Sequence, residues 1–188
     1  MTSGNPTAPR SMSFSRAFRW PITLVLGALA VAVSAQFSVP LPFTPVPMTL
    51  QGLAVILVGG LTGSTAGAGA MLLYLVAGAF GAPVFANGSG GLQHLIGPTG
   101  GYLLAFPVAA WIVGRVGQRG NLGLCILAAL LGMIAIHAGG LAQLMLLTGS
   151  IKTALAAGTA PFLLVDSLKV VLAGLLLWKA HHSLRPRA

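Results

Sequence analysis

The chain has 188 residues, of which 56% are hydrophobic and only 6% charged, and it carries a formal net charge of +9. A water-soluble domain needs roughly a quarter of its residues charged, so this composition excludes a soluble globule and predicts a protein whose outer surface faces lipid. The ten Lys and Arg residues form no stripe interleaved with aromatics, which excludes a nucleic-acid surface and leaves membrane orientation as their role.

In chain order, MTSGNPTAPRSMSFSR is polar and rich in Pro and Ser, and residues 1–19 read as a disordered cytoplasmic leader. Apolar runs bounded by Pro, Gly and charge then predict helices near 20–37, 49–61, 64–80, 100–114, 122–147 and 161–179. The fifth is expected to be interrupted at Gly139–Gly140. Between them, VPLPFTPVPM cannot continue a helix because its four prolines each remove a backbone donor. A Gly-rich connector, GAPVFANGSGGLQHLIGPTG, fills the gap before the fourth helix. At about 20 residues per span the chain holds roughly six helices. The predicted fold class is therefore an all-α integral membrane protein, a six-transmembrane-helix bundle over 20–180, with a basic cytoplasmic tail at 181–188.

Charge sets the orientation. Six spans put Arg10, Arg16, Arg19, Arg115, Arg119, Lys179, Arg185 and Arg187 on one side, against Lys152 alone on the other, so both termini are expected in the cytoplasm. The connectors at 38–48, 81–99 and 148–160 then share the outer face. Irregular backbone near membrane depth is tolerated where it is buried in protein or lines a wet cavity, so these segments predict a binding cavity on that side.

Asp166 is the only acidic residue in the chain, and Lys169 follows it at i+3 inside an apolar run. That spacing puts both on one helix face, close enough to pair. A charge at that depth costs about 3 kcal/mol unless paired or wet, and a purely structural pair is replaceable by apolar residues with little loss. The pair therefore reads as a ligand clamp, with carboxylate acceptors and ammonium donors suited to a small solute carrying both N–H and carbonyl groups. Asn87, Gln93 and His94 in the second connector and Gln51 at the head of the second span are polar groups able to converge on it, although ANGSG around Asn87 also reads as a turn. Phe43, Phe85, Tyr102 and Trp111 are candidate apolar walls or interface anchors. His137 and Gln143 are expected to hydrogen-bond between helices. Ala28 and Ala32, four apart on the first helix, form a small-residue face for packing or for a membrane partner. Cys125 reads as a buried inert thiol, and no His/Cys cluster has metal-ligand spacing. With one carboxylate, no GxSxG and no Walker motif, the chain lacks the groups of an enzyme or of a self-powered pump.

PVPMTLQ at 45–51, GAPVFANGSGG at 81–91, GPTGGYLLAF at 97–106 and PFLLVDSLKVVLA at 161–173 together resemble the BioY family, in order and over residues 20 to 180. That family comprises biotin-specific substrate-binding components of energy-coupling-factor (ECF) transporters of the bacterial cytoplasmic (inner) membrane. The resemblance implies a six-helix bundle with a biotin cavity near the outer face and no cofactor. It implies as partners a transmembrane coupling protein and two cytoplasmic ATPases, with a homo-oligomer as a further possibility. It matches Asp166 and Lys169 to the ligand-binding pair, Asn87 to the polar residue after PVF, and Ala28 and Ala32 to the docking face. Asp166 would accept from the ureido N–H groups of biotin, and Lys169 would donate to the ureido oxygen or to the tail carboxylate. Some members place an arginine in the connector region to meet that carboxylate. No arginine here falls on the outer side, so Gln93, His94, Lys152 or backbone N–H groups would serve. An autonomous proton-coupled carrier and a component for another vitamin are the alternatives.

Overall fold

The computed structural model describes residues 14–117 and 121–183. Its helices are α1 (Phe14–Gln36), α2 (Gln51–Thr62), α3 (Ser64–Ala79), α4 (Gln93–Ile96), α5 (Gly100–Val116), α6 (Leu122–Thr148), α7 (Ile151–Gly158) and α8 (Leu163–Ser183). Two of them, α1 and α6, are long and apolar enough to cross a membrane on their own, and α7 with α8, bent by 57°, adds a third candidate. The apolar helices α2, α3 and α5 have 12, 16 and 17 residues. At 1.5 Å per residue they reach roughly 18 to 26 Å, short of a hydrocarbon layer of about 30 Å. The space left at their ends is where the connectors fold back.

Large apolar side chains face outward all round, among them Leu29 and Val33 on α1, Leu72 and Val76 on α3, Leu104 and Val108 on α5, and Leu168 and Leu172 on α8. Only a lipid environment makes that surface stable. Inside, two clusters meet at α2 and α5. One packs Val31, Val55, Met71, Tyr74 and Phe106 between α1, α2, α3 and α5. The other packs Ile56, Val113, Ala128, Val170 and Leu177 between α2, α5, α6 and α8, with Cys125 buried in it as a free thiol.

Three details differ from the sequence reading. The chain is not wholly α: Ser38–Val39 (β1) and Met48–Thr49 (β2) pair antiparallel, because the prolines between them forbid a helix and the flanking residues close a two-residue ladder. The helix α6 is uninterrupted, and Gly139 and Gly140 serve packing instead of a break. A methyl on Gly139 would meet the Gly101 backbone of α5, and one on Gly140 would meet the Tyr102 ring. Finally, α1 begins at Phe14, inside the segment expected to be a leader; residues 1–13 of that leader and 184–188 of the basic tail lie outside the described residues.

The two ends of the bundle are chemically distinct. A methyl on Gly69 of α3 would lie 2.9 Å from Leu24 and 4.0 Å from Trp20, and one on Gly114 of α5 would meet the backbone of Gly63 and Ser64 in the α2–α3 turn. His181 of α8 reaches the Gly60 carbonyl at 3.3 Å. Arg19, Arg115 and Lys179, adjacent to these contacts in sequence, therefore gather at the turn end. Arg10, Arg119, Arg185 and Arg187 lie outside the described residues. The connectors close the opposite end, where Thr44 Oγ1 donates to the Ala157 carbonyl at 2.7 Å and Lys152 sits exposed on α7.

Candidate ligand-binding site

Asp166 lies in the first turn of α8 and Lys169 one turn further, both on the buried face of an otherwise lipid-facing helix. They are 9% and 8% exposed. Lys169 Nζ donates to Asp166 Oδ1 at 2.7 Å and to the Thr49 carbonyl of β2 at 2.7 Å. The other carboxylate oxygen, Oδ2, lies 2.9 Å from His137 Nε2 of α6. An ionised carboxylate only accepts, so this imidazole nitrogen donates. The acid thus joins α8 to α6 directly and to the first connector through Lys169.

These groups line a cavity of about 360 Å³, within the range of small-molecule sites of about 300–1,000 Å³. The first connector contributes Pro45, Val46, Pro47 and Thr49, and α2 contributes Gln51 and Gly52. From the second connector come Phe85, Asn87, Ser89, His94 and Thr99; Tyr102, Leu103 and Phe106 line it from α5, and Met133 and Ile136 from α6. Phe162, just before α8, closes the set. The wall is mostly apolar and aromatic, with one carboxylate, one ammonium and two imidazoles as its ionisable groups besides the tyrosine.

Hydrogen bonds hold the wall in shape. Thr49 Oγ1 donates to Gln51 Oε1 at 3.1 Å, Gln51 Nε2 donates to Tyr74 Oη at 2.6 Å, and Tyr74 donates on to the Val84 carbonyl at 3.0 Å. Phe85, 2% exposed, packs edge-on against Tyr74 with ring centres 5.5 Å apart, and His94 packs edge-on against Phe85. Tyr102 Oη donates to the Gly158 carbonyl at 2.6 Å, and its ring stands nearly perpendicular to that of His137. Asn87 takes a left-handed conformation, φ 59°, so it forms the turn and lines the cavity at once.

Of the residues singled out in the sequence, Asp166, Lys169, Asn87, His94, Tyr102, Phe85 and Gln51 are brought together. Gln93 is not: it is exposed on α4, and its amide donates to the Gly90 carbonyl at 2.8 Å. Phe43 and Trp111 are 66% and 50% exposed and stand away from the cavity, as does Lys152. Ala28 and Ala32 are half-buried against the core cluster of α1, α2, α3 and α5. The sequence reading did not single out Thr49, Thr99 or Phe162 as cavity residues, although each lies within one of the quoted blocks. Met133 and Ile136 carry no polar signal that would have marked them.

Gln143 ties the second connector to α6, donating to the carbonyls of Leu95 at 3.1 Å and Gly97 at 2.6 Å. Two bonds to these partly buried carbonyls are worth roughly 1 kcal/mol each. Gln143→Leu is accordingly expected to destabilise the solubilised protein by about 2 kcal/mol in thermal unfolding. An unchanged midpoint would mean that the connector is held elsewhere.

The BioY family model matches residues 9–186, which include every cavity-lining position. The chain belongs to the BioY family. Among BioY relatives, the probable biotin transporter BioY of Pyrococcus horikoshii is 42% identical over 151 residues, covering 79% of this chain and 89% of the relative. The biotin transporter BioY of Thermotoga maritima is 38% identical over 147 residues, covering 78% and 86%. A crystal structure of the S-component for biotin from an ECF-type ABC transporter superposes with a TM-score of 0.82 at 23% identity, over 92% of this chain and 95% of that one. That likeness carries the fold: the chain is folded like that structure over 92% of its length.

Proposed function

We propose that this BioY chain is the membrane substrate-binding subunit for high-affinity biotin uptake and that it works with an ATP-driven energy-coupling module. It acts as a transporter component and not as an enzyme. The observation that carries the reading is the buried Asp166–Lys169 pair lining an apolar cavity between two connectors, in a family whose curated relatives are named biotin transporters.

Each part of biotin has a chemical counterpart there. Asp166 keeps free acceptor capacity for one ureido N–H, and Lys169 keeps one of its three hydrogens for a ligand oxygen. Phe85, Phe106 and Phe162 suit the apolar thiophane ring and tail. His94, Asn87 and Ser89 in the second connector are the polar groups available to the tail carboxylate. A cavity that satisfies every polar end and excludes water supports nanomolar affinity, about 12 kcal/mol.

In this reading the chain crosses the cytoplasmic membrane six times with both termini inside, which the gathering of Arg19, Arg115 and Lys179 at the turn end supports. The cavity then faces outward. A transmembrane coupling protein docks along the α1 flank that includes Ala28 and Ala32 and, driven by two cytoplasmic ATPases, deforms the site to release biotin, since tight binding alone opposes turnover. The test is uptake of labelled biotin by transport-deficient cells. Expression together with a coupling protein and its ATPases is expected to raise uptake at nanomolar biotin, and Lys169→Met is expected to abolish it. Equal uptake by proteoliposomes holding this chain alone, lost when a proton gradient is collapsed, would show an autonomous carrier.

A further inference from the structure

Apart from Tyr74 and Cys125, three polar side chains are buried among the described residues: Gln51, Asp166 and Lys169, at 5%, 9% and 8% exposure. All three line the same cavity. The biotin reading gives tasks to Asp166 and Lys169 and none to Gln51, the most buried of them. Gln51 is joined to the ion pair through a single residue. Lys169 Nζ donates to the Thr49 carbonyl at 2.7 Å, and the Thr49 hydroxyl donates to Gln51 Oε1 at 3.1 Å. The orientation of the Gln51 amide is also fixed. Tyr74 gives its hydrogen to the Val84 carbonyl, so at 2.6 Å it receives one from Gln51 Nε2. A side-chain amide has two hydrogens and two acceptor directions. Thr49 and Tyr74 take one of each, which leaves one hydrogen and one acceptor direction on a buried group at the cavity wall, where polar groups are ordinarily paired.

The two N–H bonds of a five-membered cyclic urea point to opposite sides of the ring, with the carbonyl between them. The ring therefore presents two edges, each made of one N–H and one side of the shared oxygen. A carboxylate touching an ammonium complements one edge: Asp166 accepts the N–H and Lys169 donates to the oxygen, and their 2.7 Å separation suits neighbouring groups on that edge. A primary amide complements the other, with an N–H for the oxygen and an oxygen for the second N–H. We propose that Gln51 is this second reader: it receives the ureido N–H that Asp166 cannot reach and makes the site selective for rings that carry an N–H on both sides of the carbonyl. A ring with only one such N–H would desolvate a buried acceptor and leave it unpaired, which is the strongest basis for rejecting a close analogue. This rests on the biotin reading and adds to it the residue that meets the far side of the ring. Asn87, exposed in its turn, stays with the tail.

The test is competitive binding of three ligands to the purified full chain: biotin and the two cyclic carbamates in which one or the other ureido N–H is replaced by a ring oxygen. On the unmodified chain each carbamate is expected to bind about tenfold or more weaker than biotin, because each turns a ring oxygen toward an acceptor. Gln51→Met keeps the length of the side chain and removes the amide. It is expected to weaken biotin and one carbamate by about tenfold, and the other carbamate by about threefold or less, because that ligand has no N–H to give to Gln51. Asn87→Ala is expected to weaken all three ligands alike, since they share the same tail. If the Met variant does not fold, Gln51→Asn, one methylene short of the ring, is expected to give the same selective pattern. Equal losses for all three ligands in the Gln51 variants would mean a structural role and overturn the proposal, as would full biotin affinity in them. A carbamate that binds the unmodified chain as tightly as biotin would overturn it too, and so would the selective pattern appearing in Asn87→Ala instead. Failure of the unmodified chain to bind biotin overturns the functional reading itself and this inference with it, whereas normal biotin binding with equal losses overturns this inference alone.

Discussion

Asp166→Asn is expected to weaken biotin binding by about a hundredfold or more, the loss of one or two charge-assisted hydrogen bonds. The substitution conserves shape and removes charge. An amide has a single acceptor oxygen, so it cannot answer Lys169 on one side and His137 on the other, which the carboxylate now does at 2.7 and 2.9 Å. Its NH₂ group would point a donor at one of two donors. The Lys169 ammonium, 8% exposed, would lose its counter-charge and keep only neutral acceptors, such as the Thr49 carbonyl, and a buried charge stripped of its partner costs about 3–5 kcal/mol. Unfolding of the ligand-free protein should therefore move to lower temperature together with the loss of affinity. Calorimetric titration with biotin and a thermal melt of the same preparation read both effects. Affinity equal to that of the unmodified chain would show that the pair is structural and that the ligand is held elsewhere.

The second large effect lies away from the ionic groups. Gly101→Val is expected to prevent α5 from seating on α6 and to destabilise the protein by about 3 kcal/mol or more, the upper range for overpacking. A side chain at Gly101 would run into the Gly139 carbonyl, and the relation is mutual, because one at Gly139 would run into the Gly101 carbonyl. Backbone cannot move aside as a flexible side-chain tip can. Helices in lipid associate through such close approaches, since burial of apolar surface contributes little between them. This crossing also carries Tyr102 and His137 on its two sides, so any Gly101→Val protein recovered in detergent should bind biotin weakly. Gly149→Ala in contrast meets nothing within 4 Å and faces only the cost of its φ of 67°, and it is expected to be the milder change. Similar melting of the Gly101→Val and unmodified proteins would refute the close-crossing account.

What was legible in the sequence follows from which signals are local. Apolar runs ended by Pro, Gly or charge locate the long helices to within a few residues, because lipid requires continuous apolar surface and those residues interrupt it. The Asp166–Lys169 pair was legible because i, i+3 spacing on a helix fixes proximity without knowledge of any other element. His137 was read as an interhelical hydrogen-bonding residue, which it is, but its partner lies 29 residues away and no local pattern names it. The Gly139–Gly140 step misled for the same reason. A glycine pair inside an apolar run reads as a weak point, and only the opposing helix shows that it is a seat for the Gly101 backbone and the Tyr102 ring. The two-residue ladder from Ser38–Val39 to Met48–Thr49 was hidden because prolines announce what the segment cannot form and are silent on what it does form. Gln93 was grouped with His94 by adjacency in sequence, yet neighbouring residues on α4 face different ways, and only His94 lines the cavity.

The most direct measurement of the central claim is equilibrium titration of the purified, unmodified chain with biotin in detergent or in nanodiscs, without any partner protein. The account predicts one site per chain with a dissociation constant below about 1 μM, equivalent to roughly 8 kcal/mol or more, and weak or no binding of an apolar carboxylate that lacks the ureido ring. Absence of biotin binding at about 100 μM, near 5.5 kcal/mol, in a preparation that melts cooperatively, would contradict it.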